Sequence, residues 1–404
     1  MIAAFLLPFP LRGYRAPYLW VYYRLLSSFG ERMLFIASED YVRDPQHWQA
    51  QNRWELLPGN AERLQYRVPM REHMDAHAYG FLDDAVFETL LAQSGGNPLA
   101  AFRRLLSERV PCLDAAFAEI LARPSAKGIE AILTWCNCPS LKAAAAERGI
   151  PVVHLEMGPL RLPDYRRPTA YFDFSGVNGG TESAVRSARA ALGRVDVTID
   201  ELRAFFGPAT PEPGIAPVLR ASTGVVLQVE DDSNLIAFGR GYDNQSIIVL
   251  SHLRDATGGV LIRPHPGSLF ALKENWYQID DSPNSTAFIR RCERILTINS
   301  SVGLEAMLLD VPVTVLGDAS FRFILEVTDA AERIARLAHY LFAYLIPMQS
   351  VFDLDYLRFR LSNPTEADIM VRHLDTYLDG DAWRVGRTDR AEALIRCAMG
   401  SVPL

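Results

Sequence analysis

Short apolar runs recur along the chain, each closed by polar residues, glycine or proline, and that rhythm predicts alternating strands and helices. The clearest case is Ala131–Trp135 (AILTW), a run of strand length. Pro139 and Ser140 then punctuate an alanine-rich helix, LKAAAAER, with Gly149 where a C-cap glycine belongs, and Pro151–Leu155 (PVVHL) returns as a strand. The second half repeats the pattern. Gly224–Val229, Gly259–Arg263, Arg294–Ile298 and Val311–Leu316 read as strands, VGLEAMLL after Ser301 as a helix, and Ile247–Leu250 (IIVL) as the start of another element. The first residues, MIAAFLLPFP, have no basic lead and are broken by Pro8 and Pro10, so they read as a buried strand rather than a signal peptide. The stretch from Arg53 to Arg109 reads as helices and polar loops, and the chain from about Ala330 onward as helical. Within that tail, Leu337–Pro347 (LAHYLFAYLIP) is too short to span a bilayer and reads as a buried helix.

Strands alternating with helices imply an α/β protein with parallel sheets. Phe205–Arg220 carries Pro208, Pro211, Pro213 and Pro217, a pattern hostile to helix and central strand. It divides the chain into a Rossmann-like domain over 1–205, a linker over 206–221, a second Rossmann-like domain over 222–330 and a helical segment over 331–404. Two such domains predict an active-site cleft between them, with ligands beyond the carboxyl ends of the strands.

The chain of 404 residues is large enough for two or three domains, and its 49% apolar and 22% charged content is that of a globular protein. Lysine plus arginine number 41 against 48 acidic residues, a net charge of -7, which disfavours a nucleic-acid partner. Five scattered cysteines (Cys112, Cys136, Cys138, Cys292, Cys397) make no disulfide framework and favour a reducing, cytoplasmic compartment. The Cys136-x-Cys138 pair lacks a second pair at zinc spacing and reads as two loop residues.

Three polar groups fall at strand ends. Asn299-Ser300-Ser301 precedes a helix, where hydroxyls and unpaired N–H groups suit a phosphate, although serine is also an ordinary cap. Arg263-Pro264-His265-Pro266 holds an imidazole in rigid backbone beside a cation suited to phosphate or carboxylate. Gln228-Val229-Glu230-Asp231-Asp232 follows a buried strand, where a carboxylate can serve as base, nucleophile or metal ligand, or lie in a solvated loop.

Together QVEDDS, RPHP and TINSSVGLEAMLLDVPVTVLG resemble the retaining β-Kdo transferases of bacterial capsule and O-antigen synthesis, glycosyltransferase family 99, most strongly over Val225–Gly317. In the first half HLEMGPLR (His154–Arg161) is similar to a Glu-x-Gly-x-x-Arg segment of the capsule enzymes. The resemblance implies a GT-B-like fold, CMP-β-Kdo as donor and a surface glycan on a lipid carrier as acceptor. It implies a cytoplasmic enzyme at the inner face of the inner membrane, with neither cofactor nor metal. The chain's abrupt end fits one module of a longer polymer-building protein. Asp232 is implied as nucleophile, with Asp231 as second choice. Glu156 is implied as acid/base, His265 with Ser300 and Ser301 as phosphate ligands, and Arg263 as support for phosphate or sugar carboxylate. Glu305 is implied at the ribose, and Gln228 on the substrate side. Retention needs two inversions, hence a covalent glycosyl-enzyme. Two other readings remain: an inverting CMP-sialic acid or nucleotide-sugar transferase or epimerase of the same architecture, and a non-catalytic glycan-binding module.

Overall fold

The computed structural model describes residues 1–8, 11, 19–51, 53–57, 59–190, 197–209, 221–254, 259–268, 270–273 and 277–378. Its strands are β1 (Ile2–Phe5), β2 (Leu34–Ala37), β3 (Ala78–Phe81), β4 (Ala131–Thr134), β5 (Val152–Met157), β6 (Thr169–Asp173), β7 (Thr223–Val226), β8 (Val260–Arg263), β9 (Gln278–Ile279), β10 (Ile295–Thr297), β11 (Val313–Val315) and β12 (Ile346–Pro347). They form one sheet of order β12-β6-β5-β4-β1-β2-β3 and another of order β11-β10-β7-β8-β9.

The α/β expectation holds. β1 lies between β2 and β4, parallel to both, and β7 lies between β8 and β10, again parallel. β1, β2, β4 and β7 are buried at every position, as strands covered on both faces must be. β12 runs antiparallel to β6 and makes the first sheet mixed. The apolar N-terminus is therefore a central strand, and no helix among the described residues is long and apolar enough to cross a membrane.

Ile247–Leu250, read as the start of another element, lies inside the helix Asn244–Arg254, where Ile247, Ile248 and Ser251 are buried at helical spacing. The stretch 53–109 contains β3, whose AYGF pattern alternates at the sheet edge. A side chain at Gly80 would collide with Ile120 of the helix Pro111–Ala122, so glycine lets that helix close over the strand. Leu337–Pro347 begins in the helix Ala330–His339 but continues as a π-turn, Tyr340–Tyr344, before β12.

The chain divides into two compact units: Met1–Leu155 with Asp173–Val177 and Gln349–Arg358, and Glu156–Phe172 with Asn178–Met348 and Phe359–Leu404. The expected linker, 206–221, is described only in part. Residues 206–209 and 221 belong to the second unit, residues 210–220 lie outside the described residues, and so do 379–404 of the expected helical segment. The described part of that segment is largely helical, with Leu354–Leu361 and Glu366–Leu378 following the π-turn. In the second unit Phe205, Phe206, Phe342 and Tyr377 pack edge to face or tilted, in one apolar cluster with Leu304 and Leu308.

Of the cysteines, Cys136, Cys138 and Cys292 are buried and Cys112 is partly buried. Cys138 begins the helix Pro139–Ala146, and burial pushes its thiol far above the ordinary range. Cys397 lies outside the described residues.

Candidate active site

Because β10, β7 and β8 are neighbours, the turns beyond their carboxyl ends lie side by side. Amides lock them together. Gln228 donates from Nε2 to Asn299 Oδ1 at 2.8 Å and accepts on Oε1 from the Asn299 N–H at 3.1 Å. Asn299 and Asn234 exchange side-chain to backbone bonds at 3.2 and 3.3 Å. Asn244 grips the Gln228 backbone from both sides, at 3.0 and 2.7 Å, and donates to Glu230 at 3.0 Å. Glu230 also accepts from Ser268, in the turn after β8. Gln228, expected on the substrate side, is buried with both ends of its amide spent on Asn299, so it braces the site. Asn234, Asn244 and Ser268 escaped the sequence reading, because nothing local says which amides meet across strands.

The acidic run does not continue β7. Val229–Asp232 is a tight turn closed by the Asp232 N–H on Val229 O at 3.2 Å. Asp232 then caps the helix Ser233–Phe238, accepting on Oδ1 from the Asn234 N–H at 2.9 Å and from Ser233 Oγ at 3.4 Å. Both bonds fall on Oδ1; among the described residues none falls on Oδ2. The cap fixes the carboxylate's direction and leaves one oxygen for chemistry. Asp231 sits half-buried in the same turn.

His265 is exposed, and its Nδ1 accepts from the Gly267 N–H at 3.0 Å, so the neutral ring carries its proton on Nε2. Arg263 faces elsewhere. Its Nη1 donates to Asp280 Oδ2 at 2.5 Å and to Ser282 O at 3.1 Å, and its guanidinium lies over Phe288. Asp280, its side chain 0% exposed, is bridged on its other oxygen by Arg291 at 3.0 Å.

Ser300 donates its N–H to Thr297 Oγ1 at 3.1 Å and accepts on Oγ from the Val302 N–H at 3.3 Å, capping the helix Val302–Leu308. Ser301 makes no side-chain cap bond. Glu305, one turn on, is 4% exposed, and its Oε2 accepts from Tyr165 Oη and Ser285 Oγ, each at 2.6 Å. Burial raises its pKa, while those two bonds and the charge of Arg161 pull the other way.

The Glu156-x-Gly158-x-x-Arg161 segment leaves β5 as a compact turn. The Gly158 N–H donates to Thr169 O at 2.8 Å, and a Cβ on Gly158 would lie 2.6 Å from that carbonyl, so only glycine fits. Arg161 folds back, donating from Nε to Gly158 O at 2.8 Å and from Nη2 to Met157 O at 3.5 Å. Glu156, half-buried, accepts the Met157 N–H at 2.8 Å. Glu156 groups with the second compact unit, which also holds Gln228, Asp231, Asp232, Arg263, His265, Ser300, Ser301 and Glu305.

Residues 4–182 match the glycosyltransferase 99 family N-terminal domain, and residues 219–337 match the capsule polysaccharide biosynthesis protein family. Among solved structures, the chain is similar to KpsC of Thermosulfurimonas dismutans described as a beta Kdo 2,7 transferase, at 18% identity over 62% of this chain and 89% of that one, TM-score 0.40. The same organism's KpsC beta Kdo 2,4 transferase matches at 14% identity over 58% and 88%, TM-score 0.38. A UDP-GlcNAc 2-epimerase of Methanocaldococcus jannaschii matches at 16% identity over 83% and 91%, TM-score 0.31. No curated protein matches. The chain thus pairs a match to a glycosyltransferase 99 N-terminal domain with a match to a capsule-synthesis domain, on an α/β fold of largely parallel sheets.

Proposed function

We propose that this glycosyltransferase moves β-Kdo from CMP-β-Kdo to a bacterial surface glycan on a lipid carrier, with retention, by way of a covalent intermediate on Asp232. The observation that carries the reading is the Asp232 cap, which holds Oδ1 and leaves Oδ2 unbonded among the described residues. Asp232 Oδ2 attacks the anomeric carbon as the bond to the CMP phosphate breaks, and the leaving oxygen takes the bonding pair. His265 Nε2–H and the hydroxyls of Ser300 and Ser301 meet the phosphate charge. Glu156 then takes the proton of the acceptor hydroxyl as that oxygen displaces Asp232, which leaves as carboxylate. Inversion twice gives retention.

A single phosphate charge can be met by these donors, so the reaction proceeds without a divalent metal. Enzyme treated with EDTA keeps its turnover; full loss restored by magnesium would recast Asp231 and Asp232 as ligands. The reaction runs in the cytoplasm at the inner face of the inner membrane.

The decisive test is intact-protein mass spectrometry of enzyme mixed with CMP-Kdo and a poor acceptor. The protein gains one Kdo, and peptide mapping assigns the mass to Asp232. Asp232→Asn binds donor but slows transfer by at least about a hundredfold, since the nucleophile alone is lost. A product of inverted configuration, or stabilisation by UDP and none by CMP, overturns the reading.

A further inference from the structure

We infer that Arg161, rather than Arg263, is the cation that recognises the carboxylate of an acidic donor sugar, and so decides which sugars the enzyme accepts. This rests on the acidic-sugar reading above and extends it to a residue and a contact.

Two arginines are available by sequence, and their surroundings differ. Arg263 is already committed, its Nη1 shared between the buried Asp280 and the Ser282 carbonyl, with Phe288 beneath its plane. An incoming carboxylate would have to compete with Asp280, whose side chain has no access to water. Breaking such a pair strands a buried charge, so Arg263 is held as structure.

Arg161 is exposed, and only backbone carbonyls hold it, those of Gly158 and Met157. Among the described residues no carboxylate is paired with it and no group bonds its Nη1. Its two ties fix the guanidinium plane without neutralising the charge, which is how a fork is prepared for a planar anion. The Arg161 carbonyl accepts the Tyr165 N–H at 2.9 Å, and Tyr165 Oη donates to Glu305 in the helix opened by Ser300 and Ser301. The turn that carries Arg161 is thus tied to the helix that would hold the phosphate, and the same turn carries Glu156. Glu305 Oε2 is occupied by Tyr165 and Ser285. A 2-keto sugar acid carries its carboxylate on the reacting carbon, between phosphate and acceptor, where this cation can meet it.

The test compares CMP, CMP-Kdo and CMP-Kdo with its carboxylate blocked as an amide, on wild type, Arg161→Gln and Arg161→Lys. For Arg161→Gln, KM for CMP-Kdo rises roughly 10- to 100-fold, the size of one charge-assisted contact. CMP affinity stays within about twofold, because the phosphate contacts are elsewhere. Arg161→Lys recovers part of the loss. The blocked donor is penalised in wild type and indifferent to Arg161→Gln, a coupling that damage to the turn would not produce. Equal loss of CMP and CMP-Kdo affinity, or an Arg161→Gln enzyme that still discriminates against the amide, overturns the assignment. A wild type that uses CMP-Kdo while the variant is unchanged refutes this inference alone; a wild type that ignores CMP-Kdo refutes the proposed function with it.

Discussion

At the scale of single residues, partners decide what a side chain can do, and partners are what a linear sequence conceals. Arg263 and Glu305 look like ligands because of the turns they occupy, but one is bound to Asp280 and the other lies under Tyr165 and Ser285. Strand-end turns such as those of Asp232 and Ser300 announce themselves through local residue types. A buried ion pair leaves no such local mark, since Arg263 and Asp280 meet across two strands. This bears on stability. Arg263→Gln removes one of the two arginines bridging Asp280 and should cost about 3 kcal/mol, seen as a lower urea midpoint with an unchanged slope. A loss within about 0.5 kcal/mol, typical of an exposed surface change, would mean that Asp280 is satisfied by Arg291 alone.

At the scale of elements, apolar runs reported most strands, because a parallel strand buried on both faces is a short unbroken apolar word. The same signal does not tell strand from helix at Ile247–Leu250, where a buried helix turn spells the same word, and it failed at β3, whose edge position leaves it half polar. The turns between elements carry the site, and two substitutions test them. Gly158→Ala forces a methyl against the Thr169 carbonyl, and overpacking of this kind costs about 1–3 kcal/mol. The shift should displace Glu156 and Arg161 together, so turnover falls further than the melting temperature alone would suggest. Gln228→Leu leaves the Asn299 N–H and amide without their partner, at about 1–3 kcal/mol. Calorimetry of both variants, beside their transfer rates, separates a weakened fold from a misplaced site; Gln228→Leu with wild-type stability would remove the brace from the account.

At the scale of the whole molecule, the proline-rich stretch lies mostly outside the described residues, and the compact units divide at 155–156, 172–173, 177–178, 348–349 and 358–359. Composition marks where a chain resists regular structure. It does not mark where β5 and β6 carry the chain from one unit to the other, which depends on pairings made far along the sequence. Each unit nevertheless encloses a neutral histidine, and this makes the molecule acid-sensitive in a defined window. Burial lowers His154 in the first unit to about 4 and His373 in the second to about 3, each from an ordinary 6.5. His373 Nδ1 bonds Phe342 O at 2.8 Å, with Arg186, Arg360 and Glu366 the charges around it; Lys142 is the charge near His154. A histidine whose folded pKa is depressed binds its proton first in the unfolded chain. Stability is therefore full above about pH 6.5 and falls with pH until the folded pKa is reached, by up to about 1.4 kcal/mol per pH unit for each group. Glu366 acts lower down. Despite its burial, Arg186 and His339 hold its carboxyl below the usual range, so its contribution is present above about 4.5 and fades beneath. His373→Asn keeps a donor for the Phe342 carbonyl and removes the titration. Urea melts from pH 7 to pH 4.5 should show wild type losing stability steadily, and the variant losing it less steeply, since His154 and His77, also lowered by burial, still titrate. Parallel lines for the two proteins would mean that His373 takes up its proton without unfolding the second unit.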